Sequence, residues 1–159
     1  MQIYGVMMVR NEEDILRVNI LHHLTVGISR FLIVDNGSTD GTAAILEELS
    51  RDGPVEWTED PGPYRQAEIT TSLARDAWRR GADWVVAIDA DEFWCAAGRS
   101  LPDVLASTNA GALEVDVVNF IQKRGQREAS SEALLHMTRR TPLPIGPREQ
   151  VRHLSLIHI

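Results

Sequence analysis

Short apolar runs alternate with amphipathic segments along residues 1–90. Four of the runs predict buried strands, and apolar residues spaced by three and four predict helices between them. The predicted strands are residues 3–9, 28–34, 55–58 and 83–88, and the predicted helices are residues 12–26, 42–51 and 65–80. This order predicts an α/β fold with a mostly parallel sheet and helices on both faces.

Two details of this pattern carry further predictions. Asn11 is expected to cap the first helix, with Glu12 and Glu13 in its first turn, where the helix dipole favours acids. Residues 84–88 are apolar on both faces, which is typical of a strand in the middle of a parallel sheet. The fourth strand is therefore expected to be central.

The second half of the chain is less regular. Residues 101–107 predict a short helix with Ser100 as its cap, and residues 113–121 predict a strand. Residues 123–152 are polar, rich in proline towards their end, and have no assignment. A single domain over residues 1–153 is expected. Residues 154–159 resemble translated sequencing-adapter read-through, and a non-native tail and a native end both stay open.

Composition narrows the class of protein. The chain has 159 residues and 43% hydrophobic residues, which suits one soluble domain with its own core. A net charge of -7 argues against nucleic-acid binding. Cys95 is the only cysteine, so no internal disulfide can form. No apolar run is long enough for a membrane segment, no basic signal-peptide start is present, and a cytoplasmic location is expected.

A cluster of carboxylates follows the fourth predicted strand. Asp89, Ala90, Asp91 and Glu92 stand at its carboxyl end, where ligands bind in open α/β sheets. Carboxylates this close repel each other unless a cation lies near them. Mg²⁺ or Mn²⁺, held by Asp91 and Asp89 together with ligand phosphates, fits that need. A solvated acidic turn is the alternative.

A second loop, residues 35–42, follows the second predicted strand and is rich in turn-forming residues. Asp35 would offer an acceptor to the N–H of a nucleotide base. Ser38, Thr39 or Asp40 can cap the helix that begins near residue 42, and for Asp40 this structural role is favoured.

Three smaller groups complete the candidates. Arg10 ends the first strand and could meet a diphosphate, whereas Asn11 and Glu12 could be caps or line a base pocket. Residues 64–66 stand at the start of the third helix, whose N-terminus can receive an anion. His22 and His23 have no histidine partner four residues away, which favours a structural or surface role for both.

The order of these groups resembles the family-2-like glycosyltransferases of the GT-A fold. The resemblance rests on an RNE box at residues 10–12, a DNGSTDGT box at residues 35–42 and a DADEF box at residues 89–93, and it covers about residues 3–95. It implies a nucleotide-sugar donor, most often a UDP-sugar, a saccharide or other hydroxyl acceptor, and inversion at the transferred carbon.

The resemblance also implies roles for matched positions. Asp35 would contact the base, Asp89 the ribose or a metal-bound water, and Asp91 the Mn²⁺ or Mg²⁺ that bridges the phosphates. The expected donor-binding and metal residues are Arg10, Asn11, Glu12, Asp35, Asp89, Ala90 and Asp91.

The resemblance does not supply a catalytic base. Such enzymes run well past 159 residues, and no carboxylate after Asp91 has a recognisable motif around it. The candidates for the base or a late metal ligand are Glu114, Asp116, Glu128, Glu132, His136, Glu149 and His153. A truncated or non-catalytic fragment that binds a nucleoside diphosphate is therefore the alternative. A phosphohydrolase with Asp89 as nucleophile is disfavoured, because Phe93 stands where such loops carry Thr or Ser.

Overall fold

The computed structural model describes residues 1–51, 53–96, 98–113, 115–121, 139–140 and 153–158. In chain order the elements are β1 (Ile3–Val9), α1 (Leu16–Val26), β2 (Arg30–Asp35), α2 (Thr42–Ser50), β3 (Val55–Glu59), α3 (Gln66–Arg79), β4 (Trp84–Ala87), β5 (Glu92–Cys95), α4 (Leu101–Ala106), β6 (Asp116–Ile121), β7 (Arg139–Arg140) and β8 (His153–His158). The predicted strands and helices of the first ninety residues are all present.

The first four strands form one parallel sheet in the order β3-β2-β1-β4. The register sets Val9 of β1 opposite Asp35 of β2, and Val6 opposite Ala87 of β4. All four strands therefore point the same way, and their carboxyl ends share one edge of the sheet.

Helices cover both faces of this sheet. Successive β1 side chains point to opposite faces, so β1 packs against helices on both. Ile3 and Met7 belong to the larger core cluster, which includes Leu16 of α1 and also takes in residues of α2 and α4. Val6 packs on the opposite face against Ala77 of α3. The predicted GT-A-like α/β fold, with a mostly parallel sheet and helices on both faces, is confirmed.

The prediction that the fourth strand is central is wrong for the described part of the chain, where β4 pairs with β1 alone and lies at the sheet edge. Helices on both faces account for its apolar pattern. Val85 packs on the α3 side, whereas Trp84 and Val86 pack into the larger core cluster. Burial by helices can therefore imitate the sequence pattern of a central strand.

The first helix begins later than predicted. Asn11 has φ 57°, a left-handed conformation that does not start a helix, and α1 begins only at Leu16. Glu12 and Glu13 therefore lie in a loop rather than in a first helical turn. The cap prediction is wrong because Asn11 bonds a neighbouring loop, as described below.

The end of α1 is as predicted. Gly27 follows its last residue with φ 119°, the left-handed conformation that commonly closes a helix. A Cβ atom at this position would lie 2.4 Å from Cδ of Pro102 in α4. Glycine is thus required here both by its backbone and by the close approach of α4.

A second sheet has the order β5-β8-β6-β7, in which β5 and β8 are parallel and the other pairs antiparallel. β5 was not predicted, because its first residue belongs to the acidic cluster that reads as a loop. Residues 153–158 form β8, and the interpretation of residues 154–159 as a non-native tail stays a prediction.

Candidate functional site

Three of the predicted groups meet at the carboxyl edge of the first sheet. β2 ends at Asp35, β1 is followed by the exposed Arg10, and β4 is followed by Asp89. Because β1 lies between β2 and β4, Arg10 lies between the other two groups. Adjacent strands are about 4.8 Å apart, so β2 and β4 are separated by roughly 10 Å. The three groups therefore lie along one edge, within the span of three adjacent strands.

Asp35 is held at the end of β2 with only 2% of its surface exposed. Its Oδ1 atom accepts hydrogen bonds from the backbone N–H of Ser38 at 3.0 Å and from the Ser38 hydroxyl at 2.6 Å. Its Oδ2 atom accepts none from the described residues. Oδ1 of Asp35 thus stabilises the loop, whereas Oδ2 can still accept a hydrogen bond from a ligand.

The loop after β1 is tied to the loop after β2. Asn11 donates its backbone N–H to the Ser38 hydroxyl at 2.9 Å and accepts the Thr39 N–H on Oδ1 at 2.8 Å. Glu13 accepts the Gly41 N–H on Oε2 at 2.7 Å. These bonds explain the left-handed conformation of Asn11. The donor-binding role expected for Asn11 stays a prediction.

Asp40 completes this connection. Its carboxylate accepts the N–H of Thr42 at 3.0 Å and that of Glu13 at 3.2 Å. Burial raises the pKa of Asp40, but the hydrogen bonds from Thr42 and Glu13 outweigh it, so that the pKa lies below its usual value. Asp40 therefore has a structural role in joining the loops, but the cap predicted for it is wrong, because the cap position of α2 is Gly41 and it makes no side-chain cap hydrogen bond. Glu12 donates its N–H to the Thr42 hydroxyl at 2.8 Å, and its donor-binding role also stays a prediction.

The acidic cluster forms a tight turn between β4 and β5. The N–H of Glu92 donates to the carbonyl of Asp89 at 2.9 Å, and the N–H of Asp89 lies 3.3 Å from Oε2 of Glu92. Ala90 is buried, Asp89 is exposed, and Asp91 is half-buried. The turn therefore buries its small residue and brings carboxylates towards the surface.

Asn19 of α1 holds this turn from below, although it is fully buried. Its amide NH₂ donates to the carbonyls of Ala90 at 2.8 Å and Glu92 at 2.6 Å, with the Asp89 carbonyl at 3.4 Å. Two amide hydrogens thus satisfy the two nearest carbonyls. The shape of the acidic turn depends on a side chain of the helix beneath it.

Two adjacent histidines of α1 hold the strand that follows the turn. His22 Nε2 donates to the Trp94 carbonyl at 2.7 Å, and His23 Nε2 accepts the Trp94 N–H at 3.2 Å. The His23 Nδ1–H then points at Asn19, whose backbone and side-chain oxygens lie at 2.8 and 3.0 Å. The structural role favoured for both histidines is confirmed.

His23 is neutral at physiological pH. Burial lowers its pKa to about 4, against a smaller opposite effect of the hydrogen bond to Asn19. The accepting Nε2 requires the same neutral form, because a protonated imidazole has no acceptor. A neutral His23 therefore orients the Asn19 amide, and that amide holds the acidic turn.

The loop between β3 and α3 is fastened to the same edge by Asn36. This residue is 1% exposed, and its Nδ2 donates to the carbonyls of Asp60 at 2.7 Å and Gly62 at 3.0 Å. Its backbone N–H donates to Val9 of β1 at 2.9 Å. The loops after β1, β2 and β3 thus form one hydrogen-bonded unit beside Asp35.

A cleft of about 440 Å³ lies on the α3 side of the acidic turn. Gln66 and Thr70 of α3, Ala87 at the end of β4, and Asp89 are among its lining residues. Gln66 Nε2 donates to Asp89 Oδ1 at 2.7 Å across this cleft. Sequence patterns did not reveal this contact between α3 and the acidic turn.

The carboxylates fit a divalent cation only in part. No group of three or more His, Cys, Asp or Glu side chains that could hold a metal occurs among the described residues. Asp89 and Asp91 supply the hard oxygen ligands that Mg²⁺ and Mn²⁺ prefer, and a nucleotide diphosphate would have to supply others. This donor set is consistent with a cation that arrives with its phosphate ligand.

The side chains of the late candidates lie outside the part of the chain that the structure describes, so their roles as base or metal ligand stay predictions; these residues are Glu114, Asp116, Glu128, Glu132, His136, Glu149 and His153. Asn19, which the sequence reasoning missed, left a trace in the sequence together with His23. They are polar residues spaced by four on a helical face that carries Leu16 and Ile20, where polar side chains need buried partners.

The model of the family described as glycosyl transferase family 2 matches residues 6–149. The chain belongs to this family. Family 2 membership confirms the family expected from the RNE, DNGSTDGT and DADEF boxes, and it places the chain among the glycosyltransferases.

Individual proteins and solved structures are also similar to this chain. A glycosyltransferase family 92 protein of Oryza sativa subsp. japonica is 33% identical over 101 residues, which are 62% of this chain and 17% of the rice protein. The crystal structure of S. aureus TarS 1-349 in complex with UDP has a TM-score of 0.51 and 16% identity, covering 74% of this chain and 40% of that chain. Another S. aureus TarS structure has a TM-score of 0.48 and 17% identity, covering 67% of this chain and 19% of that chain.

The family model shows the family, and the UDP-bound TarS structure agrees with the fold. At 16% identity the TarS structure bears on the fold alone. This chain spans about a sixth of the length of the rice protein and two fifths of the length of the UDP-bound TarS chain. Across the described residues, no helix has both the length and the apolar character needed to span a membrane.

Proposed function

We propose that this chain provides the donor site of a glycosyltransferase that moves a sugar from a nucleoside diphosphate to an acceptor hydroxyl, with inversion at the transferred carbon. The observation that supports this proposal most directly is the acidic turn at the carboxyl end of β4, on the same sheet edge as Arg10 and Asp35. Membership of family 2 supports the reaction class. The resemblance of the boxes supports inversion and a saccharide or other hydroxyl acceptor.

Each side of the edge suits one part of the donor. Asp35 has one carboxylate oxygen in its own loop and a second that accepts nothing from the described residues, which suits a base N–H. The exposed Arg10, between Asp35 and Asp89, suits the negative diphosphate, because a guanidinium pairs well with phosphate oxygens. UDP is the first nucleotide to test, since the TarS protein of the same fold was solved with it.

Asp91 and Asp89 would hold a divalent cation, Mn²⁺ or Mg²⁺. When bound, such an ion neutralises the diphosphate that leaves with its electron pair. The chain itself contributes a turn held by Asn19, so its carboxylates need little reorganisation when the donor arrives. The base that accepts the proton of the acceptor hydroxyl is not assigned to any described residue.

Calorimetric titration of UDP in the presence and absence of Mn²⁺ tests the proposal. Wild-type protein should bind UDP more tightly with Mn²⁺, and Asp91→Ala should abolish that gain because it removes a direct ligand, whereas losing a residue that only orients a ligand costs about 10- to 100-fold. In a thermal-shift assay, UDP with Mn²⁺ at a hundred times its dissociation constant should stabilise the wild type by about 2.7 kcal/mol. GDP, CDP and Mg²⁺ give the base and metal preference.

Asp83→Asn is the matched control. Asp83 is an exposed carboxylate at the opposite end of β4, where it accepts the N–H of Gln2 at 2.6 Å. Its replacement removes one negative charge from the same strand but should leave Mn²⁺-dependent UDP binding unchanged. Equal affinities of wild type and Asp91→Ala for UDP with Mn²⁺ would show that the metal assignment is wrong.

A further inference from the structure

We infer that Gln66 is a positioning residue of the donor site, which holds the Asp89 carboxylate in one orientation while Tyr64 fixes the Gln66 amide. This inference rests on the proposed function. Gln66 is the first residue of α3, and Asp89 follows β4, 23 positions later in the chain. Their contact at 2.7 Å joins the helix to the acidic turn across the cleft.

The orientation of the Gln66 amide has a visible cause. Tyr64 donates its hydroxyl to Gln66 Oε1 at 2.6 Å, and Gln66 Nε2 donates to Asp89 Oδ1. Because an ionised carboxylate only accepts, the NH₂ end of the amide faces Asp89, and the Tyr64 hydroxyl, which can donate or accept, donates to the carbonyl end and holds the amide in place. A flipped amide would set an oxygen against Asp89 and lose that bond.

Burial does not explain the position of Tyr64. Its side chain is among the exposed large hydrophobic residues, at 67% relative exposure. The hydrogen bond to Gln66 is the contact that connects it to the site. Tyr64, Gln66 and Asp89 therefore form a short chain of donors and acceptors that ends at the carboxylate.

An amide is chemically suited to this task. Asp89 is exposed, so its carboxylate would sample several rotamers without a partner. A lysine or arginine at position 66 would also hold it, but would cancel the negative charge that attracts a cation. Gln66 orders the carboxylate through Oδ1 and leaves that charge intact. The cleft beside the pair gives the ligand access.

Three variants test this inference: Gln66→Ala, Gln66→Lys and Tyr64→Phe. The probes are UDP with Mn²⁺, measured by calorimetry, and bound Mn²⁺, counted by electron paramagnetic resonance at saturating UDP. Gln66→Ala should weaken Mn²⁺-dependent UDP binding about tenfold, in the range for residues that orient metal ligands. Tyr64→Phe should weaken it about fivefold, since one hydrogen bond is lost.

Gln66→Lys separates orientation from charge. Lysine can still donate to Asp89 but adds a positive charge beside the cation, so Mn²⁺-dependent binding should fall further than in Gln66→Ala. Uridine binding without metal should be unchanged in all three variants. A purely structural role would instead lower the melting temperature and weaken uridine and UDP binding alike. Ser72→Ala, an exposed position on the same helix, is the control.

The outcomes distinguish the two proposals. If wild-type protein binds UDP with Mn²⁺ and Gln66→Ala binds it equally well, the role of Gln66 is refuted and the donor site stands. If the wild type shows no Mn²⁺-dependent UDP binding, the proposed function fails, and the inference fails with it.

Discussion

At the scale of single residues, the buried imidazole of His23 should make the stability of the fold depend on pH. Its Nε2 accepts the Trp94 N–H and its Nδ1–H donates to Asn19, an arrangement that only the neutral ring can make. Burial lowers the pKa of His23 to about 4, whereas an imidazole in an unfolded chain titrates near 6.5. The unfolded chain therefore binds more protons between these two values.

The free energy of unfolding should fall as pH falls through this window. The contribution of His23 is fully present above about pH 6.5 and is lost progressively down to about pH 4, by roughly 3 kcal/mol. Urea unfolding at pH 7, 5.5 and 4.5 measures the slope. His23→Gln should flatten it, and His22→Gln should retain it because His23 is intact. Equal slopes in wild type and His23→Gln would refute the assignment.

At the scale of elements, α1 supports the site from beneath, through hydrogen bonds to the backbone of the acidic turn and of β5. Asn19 bonds the acidic turn, His22 and His23 bond β5, and the loop before α1 bonds the loop before α2 through Asn11. The sheet aligns the strand ends, but the helix sets the shape of the turn that follows β4.

Asn19→Ala should therefore destabilise the fold and loosen the turn. Removing the amide leaves the buried carbonyl of Ala90 and that of Glu92 without this donor, which costs about 1 to 3 kcal/mol. Chemical unfolding measures the loss, and amide exchange at Glu92 reports the opening of the turn. Thr25→Ala, an exposed position on α1, is the control. Unchanged exchange at Glu92 in Asn19→Ala would contradict the role.

Much of this architecture could be predicted from local pattern. The boundaries of β1, α2 and β3, the glycine that ends α1, and the cap at Ser100 all follow from periodicity and turn chemistry. The prediction that Asn11 caps the first helix was wrong because its side chain accepts a hydrogen bond from Thr39, which is distant in the sequence. The contact of Gln66 with Asp89 was missed for the same reason: helix and turn meet only once the sheet has formed.

At the scale of the whole molecule, the parallel sheet collects the boxes of the sequence at one edge. Arg10, Asp35 and Asp89 are far apart in the chain and become neighbours because β1, β2 and β4 are adjacent and parallel. The order of these strands was not available from the sequence pattern, which predicted β4 as central. The sequence thus predicted that each box follows a strand. It did not predict which boxes lie next to each other along the edge of the sheet.

The hydrogen bonds that fasten Asn36 to the loop after β3 also bear on the chemical stability of the protein. Asn36 and Gly37 form a dipeptide prone to deamidation, in which the glycine nitrogen attacks the side-chain amide and no side chain hinders it. Here rotation of the Asn36 amide towards that nitrogen would break its bonds to Asp60 and Gly62. Deamidation should therefore be slow in the native protein and fast in urea, as peptide mass spectrometry would measure. Equal rates in both states would contradict this protection by the fold.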